Sequence, residues 1–213
     1  EDTKIRCHKT TGHGSEDFTH AIMNSCNPVF IQLGLRLGAQ GFFHYFDQFQ
    51  MLGTTEIDLP GEAKTIMHQQ KNVGPVELAT ISFGQSFQLT PMQMATTVSS
   101  LINGGKRICP HIALTSRSRH AEVHKRYTPD DKGRVLSEKT APTFRGLLYQ
   151  VVAEGTGKNG QVEGFAVGAK TATSQMLPRG SGKYIASFIG FAPAADPQVL
   201  AIVIIPEPQG RYY

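Results

Sequence analysis

Only three cysteines occur in the 213 residues, Cys7, Cys26 and Cys109, and none is spaced from another as in a zinc motif. Spacing therefore gives no reason to expect a structural metal, and no cofactor motif stands elsewhere in the chain. His120 and His124 lie four apart, but no Glu follows the first of them, and their surroundings are basic and turn-rich. Apolar runs long enough for a membrane span are missing. The longest, Val199 to Ile205, has the length and β-branched content of a strand. Signal-peptide patterning, internal repeats and low-complexity tracts are also missing. The formal net charge is only +4, and much of the excess falls between Arg117 and Arg126. A solvated hairpin accounts for that cluster better than a nucleic-acid surface, so no nucleic-acid partner is expected.

What is present is an ordinary globular composition, 39% hydrophobic and 18% charged, with ample length for a core. The first half reads as helical. Ser15 is placed to cap a helix through Phe18, Ala21 and Ile22, and Ser25-Cys26-Asn27 interrupts it. Pro28 opens a second helix that Gly38 ends, and Gln40 to Leu52 gives a third with Phe42, Phe43, Phe46 and Phe49 on a stripe. Gly53 to Gly74 is a long connection. Pro75 and Pro91 each start a further helix, the last running to Asn103-Gly104-Gly105.

The second half changes period. His111 to Thr115 and Val123 to Tyr127 read as short strands, and Pro129 to Gly133 as a turn. Ser137 is placed to cap a helix through Phe144, Leu148 and Val152. Three strands follow, Phe165 to Thr173, Tyr184 to Phe191 and Val199 to Ile205, with links short enough for antiparallel hairpins. Helices grouped first and an antiparallel sheet afterwards predict an α+β fold. The expected division is a mainly helical part over 1–110 and a sheet-bearing part over 111–213.

Lys170-Thr171-Ala172-Thr173-Ser174 sets a cation among small residues and hydroxyls just before a hairpin. Such a strand suits an anionic ligand beside its exposed edge, and equally suits plain solubility at a sheet edge. Gly155-Thr156-Gly157-Lys158 lacks the full phosphate-loop pattern and reads as a flexible loop.

The chain resembles the transpeptidase domain of class B penicillin-binding proteins. Ser25-Cys26-Asn27 is similar to their Ser-x-Asn motif and Lys170-Thr171-Ala172 to their Lys-Thr-Gly motif. The resemblance continues through Phe83-Gly84-Gln85, Leu89 to Ala95, Asn103-Gly104-Gly105, Val151 to Gly157 and Ala186 to Pro193. It spans nearly the whole chain in the right order, and is strongest with the sporulation-type enzymes of Gram-positive bacteria. It implies an antiparallel sheet packed with helices plus a helical lobe, as in serine β-lactamases and D,D-transpeptidases, truncated at both ends.

The resemblance also implies roles. Ser25 relays a proton, Asn27 hydrogen-bonds the substrate amide, and Lys170 supplies positive potential beside Ser25. Thr171 and Thr173 bind the terminal carboxylate of a D-Ala-D-Ala stem peptide or of a β-lactam. A helix-terminus cap is the alternative reading of Ser25 and Asn27. The family's nucleophile and base form Ser-x-x-Lys, yet no Ser in this sequence has Lys three residues later. The expectation is a partial domain whose Ser-x-x-Lys precedes Glu1, inactive by itself. A membrane anchor outside this chain, an extracytoplasmic location and cell-wall synthesis partners are implied as well. Ala172 departs from the family's Gly. In an exported protein Cys7 and Cys26 are candidates for a redox-active disulfide at the edge of the site, the alternative being two unpaired, partly buried thiols, with Cys109 unpaired in either case. The competing function is a non-catalytic penicillin- or peptide-binding sensor or scaffold of the same fold. A β-lactamase is a third possibility, for which the sequence gives no dedicated deacylating base.

Overall fold

The computed structural model describes residues 5–120, 122–178 and 180–210. Helix α1 covers Phe18–Met23 and α2 covers Asn27–Gln48. Asp17, rather than Ser15, caps α1, its carboxylate accepting from the His20 N–H at 2.8 Å. Asp and Ser are comparable caps, and the one adjoining the first helical residue takes the role. Gly38 divides the α2 range as expected: at φ 75°, ψ 163° it leaves helical geometry, a conformation glycine adopts without strain, and a second helical stretch follows the kink.

Helix α3 spans Pro75–Ser82 and α4 spans Pro91–Ile102. Both carry Pro in the first turn, where the missing N–H has no intrahelical partner to lose. The Thr90 side chain caps α4 by accepting from the Gln93 N–H at 3.0 Å. Two small antiparallel pairs come next: β1 (Lys106–Cys109) with β4 (Asp130–Arg134), and β2 (Thr115–Arg117) with β3 (Val123–Arg126). The turn expected over Pro129 to Gly133 is therefore largely strand β4, recruited by β1. Strand pairing is a tertiary contact, and local turn chemistry gave no sign of it.

Helix α5 (Thr140–Ala153) leads to the main sheet, β5 (Gly168–Gln175), β6 (Tyr184–Ala192) and β7 (Val199–Pro206). The order β5-β6-β7 is antiparallel throughout, with Lys170 opposite Ile189 and Ala172 opposite Ser187. This is the predicted α+β arrangement. Ile22 of α1, Ile102 of α4, Leu148 and Val151 of α5, Phe191 of β6 and Ala194 form the buried cluster. Each large apolar side chain buried there contributes about 1.5–3 kcal/mol. Two consequences position the site: α1 is locked onto α5 and the sheet, and β5 is left as an edge strand.

Candidate active site

Ser25 lies in the turn between α1 and α2. Its backbone is held at φ 51°, a left-handed conformation that strains a non-glycine residue by about 1–3 kcal/mol. Neighbouring bonds hold it there. The Ser25 N–H donates to Ile22 O at 3.2 Å and the Cys26 N–H to Ala21 O at 2.9 Å. Pro28 then launches α2 from the extended Cys26. A third tie comes from outside, where the Thr156 N–H donates to Met23 O at 3.0 Å. The preceding Gly155 permits this approach, since a Cβ there would lie 2.6 Å from Met23 O and 2.9 Å from Val151 O. The strained serine is thus clamped between its own helix and the loop after α5.

Strand β5 supplies the opposite wall. Lys170 Nζ donates to Ser25 Oγ at 2.9 Å and to Thr171 O at 2.9 Å. Burial pushes the Lys170 ammonium down to about 8, since a charged amine loses hydration there and gains no carboxylate. Alternation along the strand puts Thr171 and Thr173 on one face and Lys170 and Ala172 on the other. Thr171 Oγ1 donates to Thr156 Oγ1 at 3.1 Å. These groups border a cavity of about 750 Å³, together with Asn27, Gln85 and Ser187. That volume suits a peptide terminus or a small bicyclic ligand.

The structure therefore brings Ser25, Asn27, Lys170, Thr171 and Thr173 to one cavity. No side chain caps the start of α2, and the Ser25 hydroxyl is engaged by Lys170, so capping is not what these residues do. Asn27 Nδ2 reaches only Arg6 O, at 3.4 Å, leaving its amide free to turn toward the cavity. Sequence reasoning missed Thr156. Its one signal was its place in the family-like Glu154-Gly155-Thr156-Gly157 run, where the reading as a loop concealed its hydroxyl.

Cys7 and Cys26 are free thiols, not a disulfide, although they lie side by side. His13 completes a group whose sulfur and ring-nitrogen atoms all fall within 4.8 Å of one another. Cys7 Sγ is 3.6 Å from both His8 Nδ1 and His13 Nδ1. Burial, with Glu16 and Cys7 nearby, pushes the Cys26 thiol up to about 11. Cys109 is also free and sits elsewhere, beside Thr55 O and Glu56 O. His120 and His124 form no such cluster among the described residues.

The family model described as "Penicillin binding protein transpeptidase domain" matches residues 1–213. The chain is 41% identical to Stage V sporulation protein D of Bacillus subtilis, over 99% of its own length and 33% of that protein's. Its backbone is similar to the D,D-transpeptidase domain of a peptidoglycan glycosyltransferase from Eggerthella lenta. That match has TM-score 0.83 and 25% identity, covering 95% of this chain and 51% of that one. Penicillin-binding protein 3 of Mycobacterium tuberculosis, solved with aztreonam, matches at TM-score 0.82 and 27% identity, over 91% of this chain and 46% of that one. The chain thus spans about a third of that curated relative and about half of these solved chains. The family match over the whole chain and the identity to a sporulation protein settle the family: this chain belongs to the penicillin-binding protein transpeptidase domain family.

Proposed function

We propose that this chain forms the Ser-x-Asn and Lys-Thr walls of a D,D-transpeptidase that cross-links peptidoglycan stem peptides through a serine acyl-enzyme. The observation that carries the reading is the 2.9 Å bond from Lys170 Nζ to Ser25 Oγ beside an open edge strand. A serine nucleophile attacks the carbonyl of the penultimate D-Ala, and the terminal D-Ala leaves as its amine. Ser25 passes the proton from the nucleophile's lysine to that amine. Asn27 holds the substrate amide, and Thr171 and Thr173 hold the terminal carboxylate. Lys170 keeps the local potential positive. The Thr173 N–H provides one oxyanion donor, worth about 2.7–4 kcal/mol in such reactions. β-Lactams occupy the same place, as the aztreonam complex of the mycobacterial relative suggests.

No Ser-x-x-Lys stands in this sequence, so the 213 residues alone bind ligand without turning it over. The reaction belongs outside the cytoplasmic membrane, where peptidoglycan is assembled and where cell-wall synthesis proteins are partners. No helix among the described residues is long and apolar enough to cross a membrane. Oxidation of Cys7 and Cys26 to a disulfide, by exchange with a disulfide of another protein that is itself reduced, is a further part of this reading.

The test is labelling by a fluorescent penicillin of the protein that carries this domain together with a Ser-x-x-Lys helix. Covalent label is expected, and Lys170→Ala is expected to lose most of it. Well-folded protein that takes up no label would overturn the catalytic reading. It would favour instead a non-catalytic sensor or scaffold, the reading that Ala172 supports by adding a Cβ where the family has Gly.

A further inference from the structure

Cys7, His13 and Cys26 come from two stretches of chain, the irregular segment before α1 and the turn before α2. Their donor atoms lie within 4.8 Å of one another, and the Cys7 Sγ to His13 Nδ1 distance is 3.6 Å. A tetrahedral ion with sulfur at about 2.3 Å and nitrogen at about 2.0–2.1 Å needs ligand atoms roughly 3.5–3.8 Å apart. The cluster is within a small side-chain adjustment of that geometry.

A second, independent observation points into the same place. The Glu16 side chain is only 5% exposed, and the His13 side chain 7%. One Glu16 oxygen accepts from Asn24 Nδ2. The other, Oε2, is buried without a hydrogen-bond partner, 3.9 Å from His13 Nδ1. A carboxylate oxygen held away from water is expensive unless a cation or a proton meets it, and the groups beside it here are the His13 ring and the Cys26 thiol. No lysine or arginine fills that place among the described ion pairs.

We propose that Cys7, His13, Cys26 and Glu16 form a binding site for a thiophilic divalent cation of the zinc class. Two sulfurs, one imidazole nitrogen and one carboxylate oxygen complete a tetrahedral set of the kind zinc takes. A dication would also meet the Glu16 carboxylate and stabilise the two thiolates it binds. Binding therefore releases a proton from each thiol. Four protein ligands leave no open position, so the role is structural. The ion would fasten the segment bearing Cys7 and His13 to the turn bearing Ser25 and Asn27, holding the strained serine under Lys170. A disulfide between the same two sulfurs excludes the ion, so the two states are alternatives. The proposal stands independently of the transpeptidase reading, because metal uptake needs no substrate.

The experiment uses this chain, reduced and freed of metal, with zinc and cobalt(II) as probes. One equivalent of zinc is expected to survive desalting, and cobalt is expected to give a thiolate-to-metal charge-transfer band in the near ultraviolet. Cys7→Ser and His13→Gln are expected to abolish the band while leaving the far-ultraviolet circular dichroism unchanged. Glu16→Gln is expected to weaken zinc by at least the roughly 10–100-fold that loss of a supporting partner costs. A folded, reduced chain that shows no thiolate band overturns the site. So does zinc uptake that Cys7→Ser and His13→Gln leave intact, or uptake by chain whose Cys7 and Cys26 have been oxidised to a disulfide.

Discussion

Lys170 Nζ donates to Ser25 Oγ at 2.9 Å, across 145 positions of sequence, and does so from a setting that disfavours its own charge. A lysine whose amine is pushed from 10.5 to about 8 is held there against solvation. That displacement corresponds to about 3 kcal/mol between the two protonation states. Lys170→Met is therefore expected to match or exceed the native stability at pH 7, while losing penicillin labelling in the acylating protein. Denaturant unfolding of both proteins at pH 7 checks it, and a clearly less stable variant would count against a desolvated Lys170.

The same group sets a pH dependence. Between about 8 and 10.5 the unfolded chain binds more protons at Lys170 than the folded one, so stability contributed by this residue rises with pH through that window. Anion binding runs the other way. From pH 7 to pH 9 the cationic fraction of Lys170 falls about tenfold, and affinity for an acyl-D-Ala-D-Ala carboxylate is expected to fall with it. Isothermal titration at the two values measures this. Lys170→Arg, which stays charged, is expected to bind with little change over that range.

Ala172 faces Ser187 across β5 and β6, on an exposed stretch of the edge strand. Ala172→Gly is expected to raise the acylation rate by a fluorescent penicillin in the acylating protein, because ligand backbone approaches more closely without the Cβ. Stability is expected to fall by about 0.5–1 kcal/mol, the usual price of glycine inside a strand. Stopped-flow acylation of the two proteins decides the matter, and an unchanged or slower rate would mean that Ala172 does not limit approach.

Gly155 is the point where α5 meets the end of α1. A Cβ there would press on backbone oxygens of Met23 and Val151, which cannot swing aside as a side chain can. Gly155→Ala is expected to destabilise by about 1–3 kcal/mol, as overpacking commonly does. It should also loosen the Thr156 bond to Met23 O and lower ligand affinity. A thermal melt with a binding titration reads both, and native values for both would show that the junction tolerates the shift.

Much of the fold was legible because local signals coincide with it. Pro28, Pro75 and Pro91 mark helix starts whose geometry depends on one residue's fixed φ. The last three strands were legible because their short links allow only antiparallel hairpins. Errors fell where a neighbour in space decides. Strand β4 exists because β1 lies beside it. The break at Gly38, by contrast, was legible, because glycine takes its positive φ without strain.

The sequence by itself determined the chemical inventory: a Ser-x-Asn turn, a Lys-Thr strand, and the family that carries both. Their residue types and order suffice for that, since motif chemistry is local. Tertiary structure alone decided what meets what. It turned Lys170 onto Ser25, set Thr156 against Thr171, and brought Cys7, His13 and Cys26 together from stretches whose spacing resembles no metal motif. The reason is physical: hydrogen bonds, desolvation and metal coordination depend on distances of a few ångströms, and chain folding rather than chain order sets those distances.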